Sequence, residues 1–181
     1  MQQQPPVSLS HTGFHVFDME KMIGFYTRVF GFFVNDKAND GRMVFLSADP
    51  KDHHQLIMFN GRTADKDHTH FSHVAFRVRD MDSLRALAKR LATETEVRDV
   101  RTCTHGNAWS IYFKDPEGNE AEAFIDTPWH VAQPFYKPID NMFDKTDEEL
   151  AAWTDNMLNE FPTKRPFDDW RKDMARKLGM E

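Results

Sequence analysis

Three residues of this chain have the types and placement to hold a divalent metal together: His11, His73 and Glu122. Two histidines and one carboxylate on one face of a metal are the ligand set of non-haem Fe(II) oxygenases, and the set leaves adjacent positions open for substrate and dioxygen. The histidines are placed by a repeat. Ser10-His11-Thr12-Gly13-Phe14-His15-Val16-Phe17-Asp18-Met19-Glu20-Lys21-Met22 returns as Ser72-His73-Val74-Ala75-Phe76-Arg77-Val78-Arg79-Asp80-Met81-Asp82-Ser83-Leu84, with six of thirteen positions identical, one of them the histidine. Each copy reads as a strand running through turn chemistry into a helix, so two similar modules each present one imidazole from a first strand. Glu122 enters through alternation, which sets Glu120, Glu122 and Phe124 on one face of a strand and Ala121, Ala123 and Ile125 on the other. Taken singly, Glu122 reads as a solvent-facing strand residue and His11 as an ordinary satisfied histidine. At equivalent strand positions of a repeat the three weigh differently, because a mid-strand carboxylate is costly to bury unless paired or bound to metal.

The elements that must position them follow from periodicity. Residues 19–30 carry Met22, Ile23, Tyr26, Val29 and Phe30 at helical spacing before Gly31 as a stop. Strand-like runs at 32–35, 43–47 and 55–59 come next, punctuated by Asn39-Asp40-Gly41 and Asn60-Gly61. The second unit repeats the order: a strand over 73–78, a helix over 81–91 with Leu84, Leu87, Ala88 and Leu91 on one face, and strands near 96–102, 108–113 and 120–125. Asp115-Pro116-Glu117-Gly118-Asn119 makes a tight turn between the last two. The fold class is therefore α+β, built from tandem βαβββ modules. The expected division is a tail over 1–7, a domain over 8–126 (module one about 8–62, module two about 70–126) and a C-terminal arm with helices over 127–181.

In that last part Trp129, Pro134, Phe135, Tyr136 and Pro138 suggest an extended arm. Thr146 and Glu149 form a capping box opening a helix through about residue 160, with a second helix over 167–178. Trp153, Met157, Leu158, Trp170, Met174 and Leu178 need something to cover, either their own domain or a second subunit.

Composition narrows the function classes. With 40% hydrophobic residues, sixteen Phe and ten Met, 181 residues suffice for one domain with a real core. Cys103 is the single cysteine, which excludes an internal disulfide and fits a reducing, cytoplasmic compartment. The first residues lack the basic cluster and apolar run of a signal peptide, and no apolar stretch is long enough to span a membrane. The net charge of −6 argues against a nucleic-acid partner.

With these residues in view, the chain resembles the vicinal oxygen chelate (glyoxalase/bleomycin resistance/dioxygenase) superfamily, which pairs βαβββ modules into a half-open barrel around a metal. His11 and His73 fall where that superfamily's first and fifth strands present ligands, and Asp115-Pro116-Glu117-Gly118-Asn119-Glu120-Ala121-Glu122 matches its turn-and-strand signature ending in a metal-binding Glu. Within it, three features are most similar to type I extradiol ring-cleavage dioxygenases: Asp52-His53-His54-Gln55-Leu56, Thr104-His105-Gly106-Asn107, and Ser110-Ile111-Tyr112-Phe113-Lys114-Asp115-Pro116. The resemblance implies an acid–base role for His54, substrate contact for His105, and a hydrogen-bonding role for Tyr112. It implies Fe(II), with Mn(II) suited to the same ligands, and a catechol and dioxygen as reactants. On the residues alone, His53 and His54 read as a wet strand end, His105 as loop chemistry and Tyr112 as core filler.

His15 shares the strand face of His11 and is replaced by Arg77 in the second module, which suits a polar barrel end. His68, His70 and His130 read as loop residues, with His130 or Trp129 candidates for the pocket mouth. Two rivals stand beside the dioxygenase: a glyoxalase-like lyase or isomerase of the same superfamily, and a metal-free small-molecule binding or resistance protein. The lyase pattern asks for a carboxylate on the fourth strand, where His53-His54-Gln55-Leu56-Ile57-Met58 offers none, with Gln55 the residue that could substitute for it. The apolar tail suggests a homodimer or larger assembly.

Overall fold

The computed structural model describes residues 9–38, 40–63 and 72–179. Module one comprises β1 (Thr12–Val16), α1 (Met19–Phe30), β2 (Phe33–Ala38), β3 (Met43–Ser47) and β4 (Leu56–Asn60). Module two comprises β5 (Val74–Arg77), α2 (Met81–Leu91), β6 (Arg98–Thr104), β7 (Ala108–Lys114) and β8 (Glu120–Asp126). The repeat encodes the strand-to-helix passage in both. Asp18 accepts from the Lys21 N–H and Asp80 from the Ser83 N–H, satisfying one orphan donor at the start of each helix. Gly31 ends α1 in the left-handed conformation, at φ 76°, which costs a residue without Cβ nothing.

Within the modules the sheet orders are β1-β4-β3-β2 and β6-β7-β8-β5, with β1·β4 and β5·β8 parallel and the other pairs antiparallel. The α+β class and the tandem βαβββ order are those the repeat predicts, and the strands lie in two sheets rather than a closed barrel. β6 begins and ends two residues later than its apolar pattern suggests. A register shift between Arg98 and Arg101, with Asp99 at φ 56°, displaces the strand.

Both sheets turn one face onto a single core. Phe14, Val16, Val44, Leu46, Leu56 and Met58 come from the first, and Trp109, Ile111, Phe113, Ala121 and Ala123 from the second. The helices lie in this shared layer. Phe30 of α1 packs on Phe76 of β5 with ring centres 4.4 Å apart, Phe25 meets Phe113 at 6.2 Å, and the Tyr26 hydroxyl donates to Asp115 at 3.2 Å. The face away from the core carries Gly13, His15, Phe45, Ile57 and Phe59 in the first sheet and Ala75, Glu122, Tyr112 and Arg101 in the second.

The Asp115–Asn119 turn joins the modules. Asp115 accepts from the N–H groups of Glu117 and Asn119, both at 2.9 Å. Glu117, 1% exposed, accepts from the Phe17 and Asp18 N–H groups at 2.7–2.9 Å, with the Arg62 guanidinium 3.9 Å away. A buried carboxylate thus holds the β1–α1 corner of the other module, a role the turn pattern did not reveal.

The C-terminal segment wraps this frame. β9 (Trp129–His130) pairs with β11 (Arg165–Pro166), and β10 (Lys137–Pro138) adds an edge to β6. A 3-10 turn (Met142–Asp144) leads to α3 (Asp147–Leu158), which opens with the Thr146–Glu149 capping box, and α4 (Phe167–Leu178) follows. Leu150 and Leu158 are buried, and Trp153 packs against the core while Thr154 accepts from the Trp109 indole at 2.9 Å, so α3 covers its own domain. Met174 and Leu178 of α4 stay exposed, at 38% and 49%.

Candidate functional site

The outward face of module two collects four of the six site residues. Strand register sets Ala75, Glu122, Tyr112 and Arg101 in one row across β5, β8, β7 and β6. Glu122 is 6% exposed, and its Oε2 lies 3.2 Å from Nε2 of His73, the residue just before β5. Burial first, and the adjacent Glu122 carboxylate second, push the Tyr112 phenol well above its ordinary value, so it keeps its proton. His105 reaches back from the β6–β7 turn, its Nε2 3.0 Å from the Tyr112 hydroxyl and 3.7 Å from Cys103 Sγ. Its Nδ1 lies 2.9 Å from the Phe135 carbonyl, which can only accept, so Nδ1 carries the proton and Nε2 presents a lone pair to Tyr112. Burial raises the Cys103 thiol to about 12, and it stays protonated beside the site.

The outward side of module one holds the other two. His11 precedes β1, and its ring centre lies 4.4 Å from that of His54. The His54 and His53 Nδ1 atoms are 2.9 Å apart, and His53 Nε2 meets the Asp36 carboxylate at 2.7 Å. The carboxylate fixes a proton on His53 Nε2, so Asp36, His53 and His54 form a chain along which one proton can be handed on. Partial burial first, then the imidazoles of His11 and His53, hold His54 below its ordinary value. The Asp36 partnership escaped the sequence reading because it depends on β2 lying beside β3, with a shift of register between Val34 and Asp36.

Among the described residues, no hydrogen bond, ion pair or ring contact joins the two groups. His11 borders a cleft of about 460 Å³ with Gln55 and residues 74–78, and neither His73 nor Glu122 lines it. Among the described residues, no three His, Cys, Asp or Glu side chains converge to hold a metal ion. His15 packs its ring on Phe59 at 5.4 Å, His130 stacks on Trp170 at 5.2 Å, and His68 and His70 lie outside the described residues. Gln55 Oε1 accepts from the Ala48 N–H at 3.0 Å and is engaged by the backbone. Among the described residues, no helix is long and apolar enough to cross a membrane.

The donor chemistry suits a divalent cation. Each module's serine touches the Nδ1 of its histidine, Ser72 Oγ at 3.1 Å from His73 and Ser10 Oγ at 3.5 Å from His11. A hydroxyl on Nδ1 orients the ring and leaves Nε2 as the nitrogen a metal would take.

Comparison with solved structures finds the same fold. A glyoxylase/bleomycin resistance protein/dioxygenase domain from Frankia sp. EAN1pec aligns with TM-score 0.56 and 19% identity over 68% of this chain and 94% of that one. The fosfomycin resistance protein FosX from Listeria monocytogenes, in a mutant complexed with Mn(II) and 1S,2S-dihydroxypropylphosphonic acid, aligns with TM-score 0.53 and 20% identity over 68% and 93%. Lactoylglutathione lyase from Agrobacterium tumefaciens aligns with TM-score 0.51 and 21% identity over 67% and 96%. A search of curated proteins finds no match. The family described as the Glyoxalase/Bleomycin resistance protein/Dioxygenase superfamily matches residues 8–123, and the chain belongs to it.

Proposed function

We propose that this protein is an extradiol ring-cleavage dioxygenase acting on a catechol, with each site shared between module one of one copy and module two of another. The observation that carries the reading is the buried Glu122 carboxylate, held beside His73, Tyr112 and the oriented His105, on a face that lacks only an imidazole and an acid–base group. The outward side of module one supplies both, as His11 and His54. A homodimer with these faces opposed forms the half-open barrel that one chain does not close.

His73, Glu122 and His11 would hold Fe(II), with Mn(II) suited to the same donors. When bound, the metal supplies the redox link between catechol and dioxygen and favours the ionised catechol hydroxyl. The chain's own groups do the rest. On substrate binding, His105 Nε2 would accept from a catechol hydroxyl in place of Tyr112, which frees the phenol O–H to donate to developing negative charge. His54, backed by His53 and Asp36, takes a proton and returns it as the ring opens. Phe45, Ile57 and Phe59 offer apolar walls to an aromatic ring. A single, buried cysteine keeps with the cytoplasmic compartment of this reading.

A lyase or isomerase of the same superfamily fits the fold equally, and so does a metal-free binding protein. Against the lyase stands the fourth strand, which supplies no carboxylate, and a metal-free binder leaves the grouping of His73, Glu122, Tyr112 and His105 without a purpose. The deciding experiment is anaerobic iron reconstitution followed by oxygen uptake over a panel of catechols, set against a thiol-hemiacetal isomerisation assay. Ring-cleaved product with oxygen consumption is expected. Isomerisation without oxygen uptake, or a folded protein that takes up no metal, would overturn the reading.

A further inference from the structure

The C-terminal arm that returns past the His105 turn carries a side-chain amide engaged at both ends. Gln133 Nε2 donates to the His105 carbonyl at 2.8 Å, and at 3.4 Å to Asn107 Oδ1 and the Val131 carbonyl. Its Oε1 accepts from the Phe135 N–H at 3.0 Å. The partners fix which end is which, since one end faces acceptors and the other an N–H. The amide therefore ties together the two residues that meet at the imidazole, because the Phe135 carbonyl lies 2.9 Å from His105 Nδ1. A turn closed for its own sake needs only the local bond to Phe135, whereas the bond to His105 spans 28 positions. The arm lies close on the His105 turn: a Cβ on Gly106, which stands at φ 78°, would come within 2.4 Å of Val131. Pairing of Lys137 with Thr104 anchors its far end.

We propose that Gln133 is a positioning residue for His105: it holds the Phe135 carbonyl on Nδ1 and so keeps the Nε2 lone pair turned to Tyr112 and to substrate. Its place in catalysis rests on the reading of His105 as the acceptor for a substrate hydroxyl; its effect on the ring does not. An imidazole with its proton on Nδ1 accepts through Nε2, while the other tautomer donates there and meets the substrate hydroxyl as a second donor. The backbone carbonyl favours the first form only while it stays in line with Nδ1. Gln133 secures both sides of that contact, the residue that supplies the carbonyl and the backbone of the histidine that meets it. It is itself exposed, so changing its amide leaves the apolar core untouched.

The test reads the tautomer directly. Nitrogen-15 NMR of the histidine-labelled, metal-free protein at about pH 8.5, where an ordinary imidazole is neutral, distinguishes a protonated Nδ1 from a protonated Nε2. Loss of its signals in His105→Asn assigns the ring. The wild type is expected to carry the proton on Nδ1. Gln133→Met keeps the length of the side chain and removes its hydrogen bonds, and should turn His105 into a mixture of tautomers. Gln133→Glu retains the acceptor for Phe135 but sets a carboxylate oxygen against the His105 carbonyl, and should do the same. A wild-type proton on Nε2, or a tautomer unmoved in both variants, would overturn the proposal, whatever happens to the melting temperature. In the iron-loaded protein, each variant should lower kcat for catechol roughly 10- to 100-fold, the scale of a small misplacement, with KM little changed. If the tautomer shifts but no catechol is cleaved even by the wild type, the reaction is wrong and the effect on the ring stands. If both variants cleave catechol at the wild-type rate, the reaction stands and the positioning role fails.

Discussion

The Tyr112 hydroxyl lies 3.0 Å from His105 Nε2, and the other nitrogen of that histidine is engaged by the Phe135 carbonyl of the C-terminal arm. A backbone acceptor thus decides which tautomer faces the phenol. Tyr112→Phe should lower kcat/KM about 100-fold, in line with loss of one charge-stabilising donor, with little change in thermal stability. Because the phenol is held well above its ordinary value, the alkaline limb of the pH profile should not move in this variant. Full turnover in Tyr112→Phe would remove the residue from the mechanism.

His54 and Glu122 should separate under substitution. His54→Ala is expected to bind iron as the wild type does, while turnover drops by roughly 10²- to 10⁴-fold, the range for a general acid–base group. Glu122→Gln should lose bound iron instead, as read by metal analysis of the reconstituted protein. A His54→Ala protein with undiminished oxygen uptake argues against the assignment.

The shared site predicts complementation. His11→Ala and His73→Ala should each be inactive alone. Mixed in equal amounts and allowed to exchange, half the dimers are mixed and one of two sites in each is intact, giving about a quarter of wild-type activity by symmetry alone. No recovery in an exchanging mixture would place all ligands within one chain.

Glu117 should matter for stability more than for chemistry. Its buried carboxylate takes two backbone N–H groups of the other module and faces Arg62. Glu117→Ala is expected to cost about 3–5 kcal/mol, measured by urea unfolding.

His130 supplies a pH signature. Burial first, then the Arg165 guanidinium, hold it below the ordinary imidazole value of 6.5, and its Nδ1 is buried without a partner. The unfolded chain therefore binds a proton at a higher pH than the folded one, so stability is lost as pH falls through 6.5 toward the lowered value. His130→Phe keeps a ring on Trp170 and should flatten that loss. An unchanged slope of melting temperature against pH between 5 and 6.5, on the order of the ordinary imidazole range, would exclude His130 as its source.

Periodicity and capping made the helices legible: Met19–Phe30, Met81–Leu91 and Phe167–Leu178 sit where apolar spacing and their caps place them. Strand edges slid by one to three residues, because hydrogen-bond register and bulges near Asn35 and Asp99, rather than side-chain type, set where pairing begins and ends. The Asp36–His53 contact and the Phe135 carbonyl on His105 join residues 17 and 30 positions apart, and no local pattern marks them.

By itself the chain determined that two like modules exist, that each presents a histidine from its first strand, and that Glu122 lies on the strand face opposite Ala121 and Ala123. Those are consequences of strand alternation and local capping, which act over a few residues. Only the tertiary structure decided where those faces look. α1 of module one packs on the sheet of module two through Phe30 and Phe76, so both sheets spend their apolar faces on one core. His11 stays beside His54 and His73 beside Glu122, as two separate groups. Alternation fixes which residues share a face; burial of that face's reverse side decides what it can meet.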